Sequence, residues 1–202
     1  MHISIVGAGY VGLVTAACLA HVEHHVTCID VDEARIERLR GGDLPVHEPG
    51  LDELVSAGLA HGRLRFASDY AAMAGTDLVI VAVGTLDADE EWDGTIVRAA
   101  VRAIAEDRSL PRDIVIRSTL MPGTAVALAQ EIRQVDPEVR LGHNPEFTRE
   151  AVAVQDFLKP DRIVAGVDGH DDGARGAALA EALRLLYAPF DAPFIVTVLT
   201  SA

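Results

Sequence analysis

The chain of 202 residues is short of several things. It has two cysteines, Cys18 and Cys28, one among alanines in a helical pattern and the other inside the strand-like "HVTCID". Both read as buried structural thiols, the usual place of a free cysteine, so neither is well placed as a catalytic thiol. Basic charge is scarce, with 17 Lys and Arg against 31 Asp and Glu and a formal charge of −14. Nucleic-acid binding needs a basic face, so that partner is excluded. The same field repels anions, so any phosphate site must work locally through backbone N–H groups. No apolar run approaches the roughly 18 residues of a membrane helix. The opening "MHISIVGAGYVG" has neither a basic flank nor a small-residue cleavage site; it reads as a first strand, and the protein as cytoplasmic. The histidine cluster "HVEHH" (21–25) fits no metal-ligand spacing and reads as a solvated loop, so no metal site is expected. Repeats, low-complexity tracts and linkers are missing too, which points to one domain over 1–202.

What is present alternates. "HISIVG", "HVTCIDV", "RLRFAS", "DLVIVAVG", "DIVIRST", "EVRLGHN", "DRIVAGV" and "PFIVTV" read as strands. Helical periodicity fills "VGLVTAACLAHV", "DEARIERLRGG", the second half of "DLPVHEPGLDELVSAGLAHG", segments near 69–74 and 94–106, "GTAVALAQEIRQV" and "DGARGAALAEALRLLY". Strands separated by helices predict an α/β, doubly wound, mainly parallel sheet of Rossmann type. The acidic run "DADEEWD" (87–93) reads as an exposed loop, with Trp92 either a packing anchor or a ligand contact.

Gly7, Gly9 and Gly12 in "GAGYVG" form G-x-G-x-x-G between a predicted strand and a predicted helix. Gly7 serves a tight turn, Gly9 lets a pyrophosphate approach the main chain, and Gly12 lets the helix pack against the sheet. The helix N-terminus adds free N–H groups and the positive end of its dipole. Strand two ends in Asp30, close to the spacing of about 20 residues expected of a ribose-binding acid. A carboxylate there favours NAD over NADP, because it repels a 2′-phosphate and the adjacent Val31 and Asp32 offer no cation. Arg35 either flanks the adenosine ribose or is a solvated helix residue.

Four further stretches follow in order: "GDLPVHEPGLDEL" (42–54), "VAVGT" (81–85), "STLMPGT" (118–124) and "NPEFTREAVAVQDFLKPDRIVAG" (144–166). With the glycine loop they resemble, along essentially the whole chain, the N-terminal NAD-binding domain of the UDP-glucose/GDP-mannose dehydrogenase family, nearer its UDP-glucose branch. The resemblance implies oxidation of the C6 alcohol of UDP-glucose or a related UDP-sugar to the carboxylate, by two hydride transfers to NAD with a cysteine capturing the aldehyde. It implies that Tyr10 and Val11 present backbone groups to the pyrophosphate and that Asp30 and Arg35 hold the ribose. Val83, Gly84, Thr85 and Thr119 would line the nicotinamide half, and Glu150 would contact its end. Glu146 and Thr119 would be catalytic, and Phe147, Thr148, Arg149 and Glu150 would join Glu146 as a wall of the sugar site. Glu146 and Glu150, one helical turn apart, would then face the junction of cofactor and sugar.

There are departures. Leu86 stands where the family has Pro, Thr148 where Leu is typical, and Ala151 where Gly is typical. The family's reactive Cys, its catalytic Lys and Asn, its central helix and its C-terminal substrate domain have no counterpart in the sequence. The expectation is an N-terminal portion, inactive alone, completed in cis or in trans and dimeric only with the central helix. A free-standing NAD(H)-binding or sensing module is the alternative. Another dehydrogenase of the same fold would leave "NPEF" and "EPGL" unexplained.

Overall fold

The computed structural model describes residues 1–168 and 174–202. Among the described residues eight strands form one sheet in the order β3-β2-β1-β4-β5-β6-β7-β8. They are β1 (His2–Val6), β2 (His25–Ile29), β3 (Leu64–Ala67), β4 (Leu78–Val81), β5 (Asp113–Ile116), β6 (Arg140–His143), β7 (Ile163–Val167) and β8 (Phe194–Val198). The first six are parallel. Then β7 pairs antiparallel with β6, through Gly142↔Val167 and His143↔Gly166, and β8 runs parallel to β7. The reversal has a consequence: the chain entering β7 arises at the same end of the sheet where β6 finishes.

Helices α1 (Tyr10–His21), α2 (Glu33–Arg40), α3 (Leu51–Ala60), α4 (Thr95–Glu106), α5 (Thr124–Val135), α6 (Ala153–Leu158) and α7 (Ala174–Leu186) cover both faces. Alternation along the strands sorts side chains into two cores. Leu78 and Ile80 join Leu13, Leu51, Phe157 and Leu183 on one face, while Val79 and Val81 join Val101, Ile104 and Leu128 on the other. The sheet is therefore doubly wound, as the alternation of strands and helices predicts. The expected helix near 69–74 is a single 3-10 turn, Tyr70–Met73, which Asp69 caps by accepting from the Ala71 N–H. Within 143–166 the chain forms α6, which the sequence reading did not anticipate; six residues between Pro- and Glu-rich turns carry too little periodicity to announce a helix. The first two residues of the helix expected over 172–187 lie outside the described residues.

Helix α1 is the centre of the structure. Every residue from Gly12 to Ala20 is buried, because the helix is enclosed by the sheet on one side and by α3 and α6 on the other. A helix apolar all round belongs in such a place, and its run of Ala and Cys keeps the neighbours close. The two thiols behave accordingly: burial pushes Cys18 up to about 12 and pushes Cys28 up as well. Among the described residues no helix is long and apolar enough to cross a membrane.

The "HVEHH" segment is structural rather than solvated throughout. His24 is buried, its Nε2 2.9 Å from the Leu186 carbonyl and its Nδ1 3.3 Å from the N-terminal amine, while the rings of His2 and His25 stack 4.9 Å apart. Burial lowers the pKa of His24 and of the buried His143 below the ordinary 6.5. The unfolded chain then binds more protons than the folded one at mildly acid pH, so stability must fall as pH drops through about 6.5. Urea midpoints measured from pH 7.5 down to 5 should decline, and a His24→Gln/His143→Asn variant should decline less steeply. An identical slope in the variant would assign the acid sensitivity elsewhere.

Candidate functional site

The carboxyl ends of β1, β2 and β4 open on a cleft of about 660 Å³ lined by Gly7, Gly9, Asp30, Arg35, Val83, Gly84 and the α4 face of Ile96, Ala99 and Ala103. It lies where the strand order reverses, between β1 and β4, the position at which open parallel sheets take ligands. The three glycines act differently. Gly7 has φ +107°, and a Cβ there would meet the Ala82 carbonyl oxygen at 2.4 Å. A Cβ on Gly12 would stand 1.9 Å from the Gly7 carbonyl oxygen, so only glycine lets α1 approach the turn. A Cβ on Gly9 would meet nothing within 4 Å; the side chain is missing where the cleft, not the protein, needs the room. Gly9 caps α1 without a side-chain bond, and the first turn holds no acid. The amides of Tyr10 and Val11 are thus left as donors at the positive end of a twelve-residue helix.

Asp30, at the end of β2, is almost fully buried. Its Oδ2 accepts from the Ala8 N–H at 2.8 Å and from Arg35 Nη1 at 2.9 Å, and its Oδ1 accepts from the Asp32 N–H at 3.0 Å. The carboxylate therefore fixes the glycine loop and draws Arg35 onto the cleft rim. Arg35 is thus an ion-pair partner of Asp30 on the cleft wall.

Beyond β4, Ser118 Oγ donates to the Val83 carbonyl at 2.7 Å, which brings Val83, Gly84 and Thr85 beside Ser118 and Thr119. Leu86, in place of the usual proline, pairs with Trp92 across a small antiparallel bridge. The acidic residues between them stand exposed, as expected. Trp92 is a packing anchor: its indole donates to the Thr119 carbonyl at 3.1 Å and lies against Gly94, where a Cβ would come within 2.6 Å of the ring.

A second cleft, about 550 Å³, opens past β6 and is lined by Arg117, Asn144, Glu146, Phe147, Thr148, Arg149 and the segment 155–163. Glu146 and Glu150 do not share a helical face. The Glu146 carboxylate accepts from the Thr148 N–H at 2.7 Å and from the Thr148 hydroxyl, and this local turn replaces a helix. The hydroxyl is available because Thr148 stands where Leu is typical. Arg149 forms a bidentate pair with Asp156 and also donates its N–H to it, holding that carboxyl below its usual range. Glu150 is exposed beside Tyr10, whose phenol is pushed up to about 12 by burial, by its bond to Glu48, and in small part by Glu150. Phe147 is half-exposed under the Arg162 guanidinium, 4.4 Å from its ring centroid.

Several residues at or beside these clefts carried no assigned role in the sequence. Arg117 is buried, donates to Asn144 Oδ1 at 2.9 Å and to the Tyr187 hydroxyl at 3.2 Å, and lies over the Phe157 ring. Ile96, Ala99 and Ala103 repeat at helical spacing, the one signal that marked them in advance. Glu48 lies within the quoted "EPGL", but nothing local marks its carboxylate as buried.

Comparison with known proteins extends the geometry. Residues 1–191 match the model of the UDP-glucose/GDP-mannose dehydrogenase family, NAD binding domain. The UDP-glucose 6-dehydrogenase of Rhizobium meliloti (strain 1021) is 44% identical over 192 residues, 93% of this chain and 44% of that protein. The crystal structure of a ternary complex of GDP-mannose dehydrogenase from Pseudomonas aeruginosa superposes with a TM-score of 0.88 at 31% identity, over 100% of this chain and 47% of that one. A UDP-glucose dehydrogenase from Pyrobaculum islandicum gives 0.84 at 36% identity, over 99% and 46%. The chain thus spans about half the length of the relatives it matches.

Two substitutions test the local geometry. Ala151 has φ +67°, a region that costs a residue with a Cβ about 1–2 kcal/mol. Ala151→Gly should therefore stabilise by roughly 0.5–1 kcal/mol after the extra unfolded-state entropy of glycine. Gly12→Ala should destabilise by about 1–3 kcal/mol or more through overpacking. Both are read from urea denaturation midpoints.

Proposed function

Since the chain belongs to the UDP-glucose/GDP-mannose dehydrogenase family, as its NAD-binding domain, we propose that it holds the cofactor in the oxidation of the C6 alcohol of UDP-glucose, or a related UDP-sugar, to the carboxylate. The observation that carries the reading is the glycine-lined cleft at the carboxyl ends of β1, β2 and β4, with a second cleft past β6 walled by residues 144–149. The residues present fit NAD. A Cβ at Gly9 would occupy the open cradle, the first-turn amides are uncapped, and the apolar α4 face offers a flat wall to a base.

In this reading the amides of Tyr10 and Val11 hold the pyrophosphate, with Gly7, Gly9 and Gly12 shaping the approach. Asp30 accepts from the adenosine ribose hydroxyls while retaining the Ala8 amide, and Arg35 covers the ribose. Val83, Gly84, Thr85 and Thr119 border the nicotinamide half, with Glu150 at its end. NAD, when bound, supplies the hydride acceptor. Phe147, Thr148, Arg149 and Glu150 orient the sugar. Glu146 holds an ordered water for the hydrolytic step, its carboxylate oriented by Thr148. Cys18 and Cys28 are buried with raised pKa values, so the thiol that captures the aldehyde comes from a partner segment, in cis or in trans, which also completes the sugar site.

Calorimetric titration tests the cofactor half. NAD should bind saturably, and NADP more weakly. Gly9→Ala should keep its denaturation midpoint, because the added methyl meets nothing in the protein, yet lose at least about tenfold in NAD affinity, equivalent to 1.4 kcal/mol. Asp30→Ala should lose as much. Undiminished affinity in both variants would remove the basis for placing NAD in this cleft.

A further inference from the structure

The "EPGL" turn lies outside both clefts, yet it carries one of the most deeply buried carboxylates in the protein. Glu48 is 2% exposed. It makes no ion pair within 4 Å among the described residues. Its Oε2 accepts from the Tyr10 hydroxyl at 2.5 Å, and its Oε1 accepts from the Val154 N–H at 3.4 Å. Burying a carboxylate without a counter-ion is expensive, and an apolar residue would fill a merely structural position at lower cost.

The two partners of Glu48 belong to different elements, α1 behind the glycine loop and α6, whose Gln155 and Asp156 line the second cleft. Tyr10 is the first residue of α1, next to the Gly9 cradle. Val154 is the second residue of α6, whose Asp156 is clamped by the backbone and guanidinium of Arg149 in the sugar-side loop. The turn itself rests on the same helix: Gly50, at φ +86°, lies so that a Cβ would be 3.7 Å from Val154 Cγ1. A path of hydrogen bonds and intervening backbone therefore runs from Tyr10, next to the glycine loop, through Glu48 and the first turn of α6 to Arg149.

We propose that Glu48 is a positioning residue that couples occupation of the dinucleotide cleft to the conformation of the 144–156 segment. The inference rests on the reading that this cleft takes NAD. A pyrophosphate drawn onto the Tyr10 amide fixes the first turn of α1, and with it the direction of the phenol. Glu48 passes that constraint to the start of α6 and hence to the Arg149–Asp156 clamp. The domain then presents an ordered sugar-side wall only when the cofactor is in place.

Hydrogen exchange of the full chain, with and without NAD at a concentration saturating for each variant, tests the proposal. In the wild type, NAD should slow exchange across 149–156 by at least about fivefold, the lower end of ordinary coupling between sites. Tyr10→Phe and Glu48→Leu should lose the response. Glu48→Gln should keep it, since a glutamine oxygen still accepts from Val154 and its amide donates to the Tyr10 oxygen. If Glu48→Leu fails to fold, the contrast between Tyr10→Phe and Glu48→Gln decides. A full response in Tyr10→Phe overturns the coupling, as does saturable NAD binding in the wild type without any change at 149–156; either leaves the NAD assignment standing. Absence of saturable binding by calorimetry overturns both. A purely structural role for Glu48 predicts lower melting temperatures with the NAD response intact.

Discussion

The structure depends on one main-chain approach. Helix α1 starts so close to the end of β1 that the Gly12 Cα lies against the Gly7 carbonyl, where no methyl group fits. This contact directs the uncapped end of the helix toward the crevice between β1 and β4, and it sets the helix deep enough for nine successive residues to be buried. Asp30 stabilises the same turn from the neighbouring strand through the Ala8 amide. The acid that recognises a ribose in the proposed function is thus also a structural support of the phosphate loop, and its two roles are inseparable because both use one carboxylate.

The protein carries a large negative charge, yet its proposed ligands are anionic. Local geometry reconciles the two. Backbone amides at a helix terminus act over a few ångströms, where screening by salt is weak, whereas the net charge acts over distances comparable with the Debye length of about 8–10 Å. Many acids also lie away from the clefts or are already paired, as in the exposed 87–91 run and the Asp156–Arg149 clamp. In the second cleft the cations Arg117, Arg149, Lys159 and Arg162 stand alongside Glu146, Asp156 and Asp161, so its lining is not dominated by negative charge.

Polar side chains tie together the elements that carry the clefts. Ser118 links the ends of β4 and β5, Trp92 ties the acidic hairpin to Thr119, and Glu48 ties α1 to α6. Each tie uses a polar side chain that a local reading would place in solvent. The departures at Leu86 and Thr148 make local contacts of their own: Leu86 closes the hairpin against Trp92, and the Thr148 hydroxyl holds Glu146 in its turn.

From the sequence alone came the alternation of strands and helices, the tight turn at Gly7, the close helix approach at Gly12, Asp30 at the end of its strand and the buried state of both cysteines. All of these leave a mark in the residue types and spacing of short stretches. Tertiary structure decided the antiparallel turn into β7, the short helix α6, the non-helical course from Glu146 to Glu150, and the burial of Glu48 between Tyr10 and Val154. Those depend on which distant segments arrive at the same end of the sheet. A carboxylate 38 residues from its phenol partner leaves no periodic trace, because the two meet only when the segment leading into α3 folds against α1.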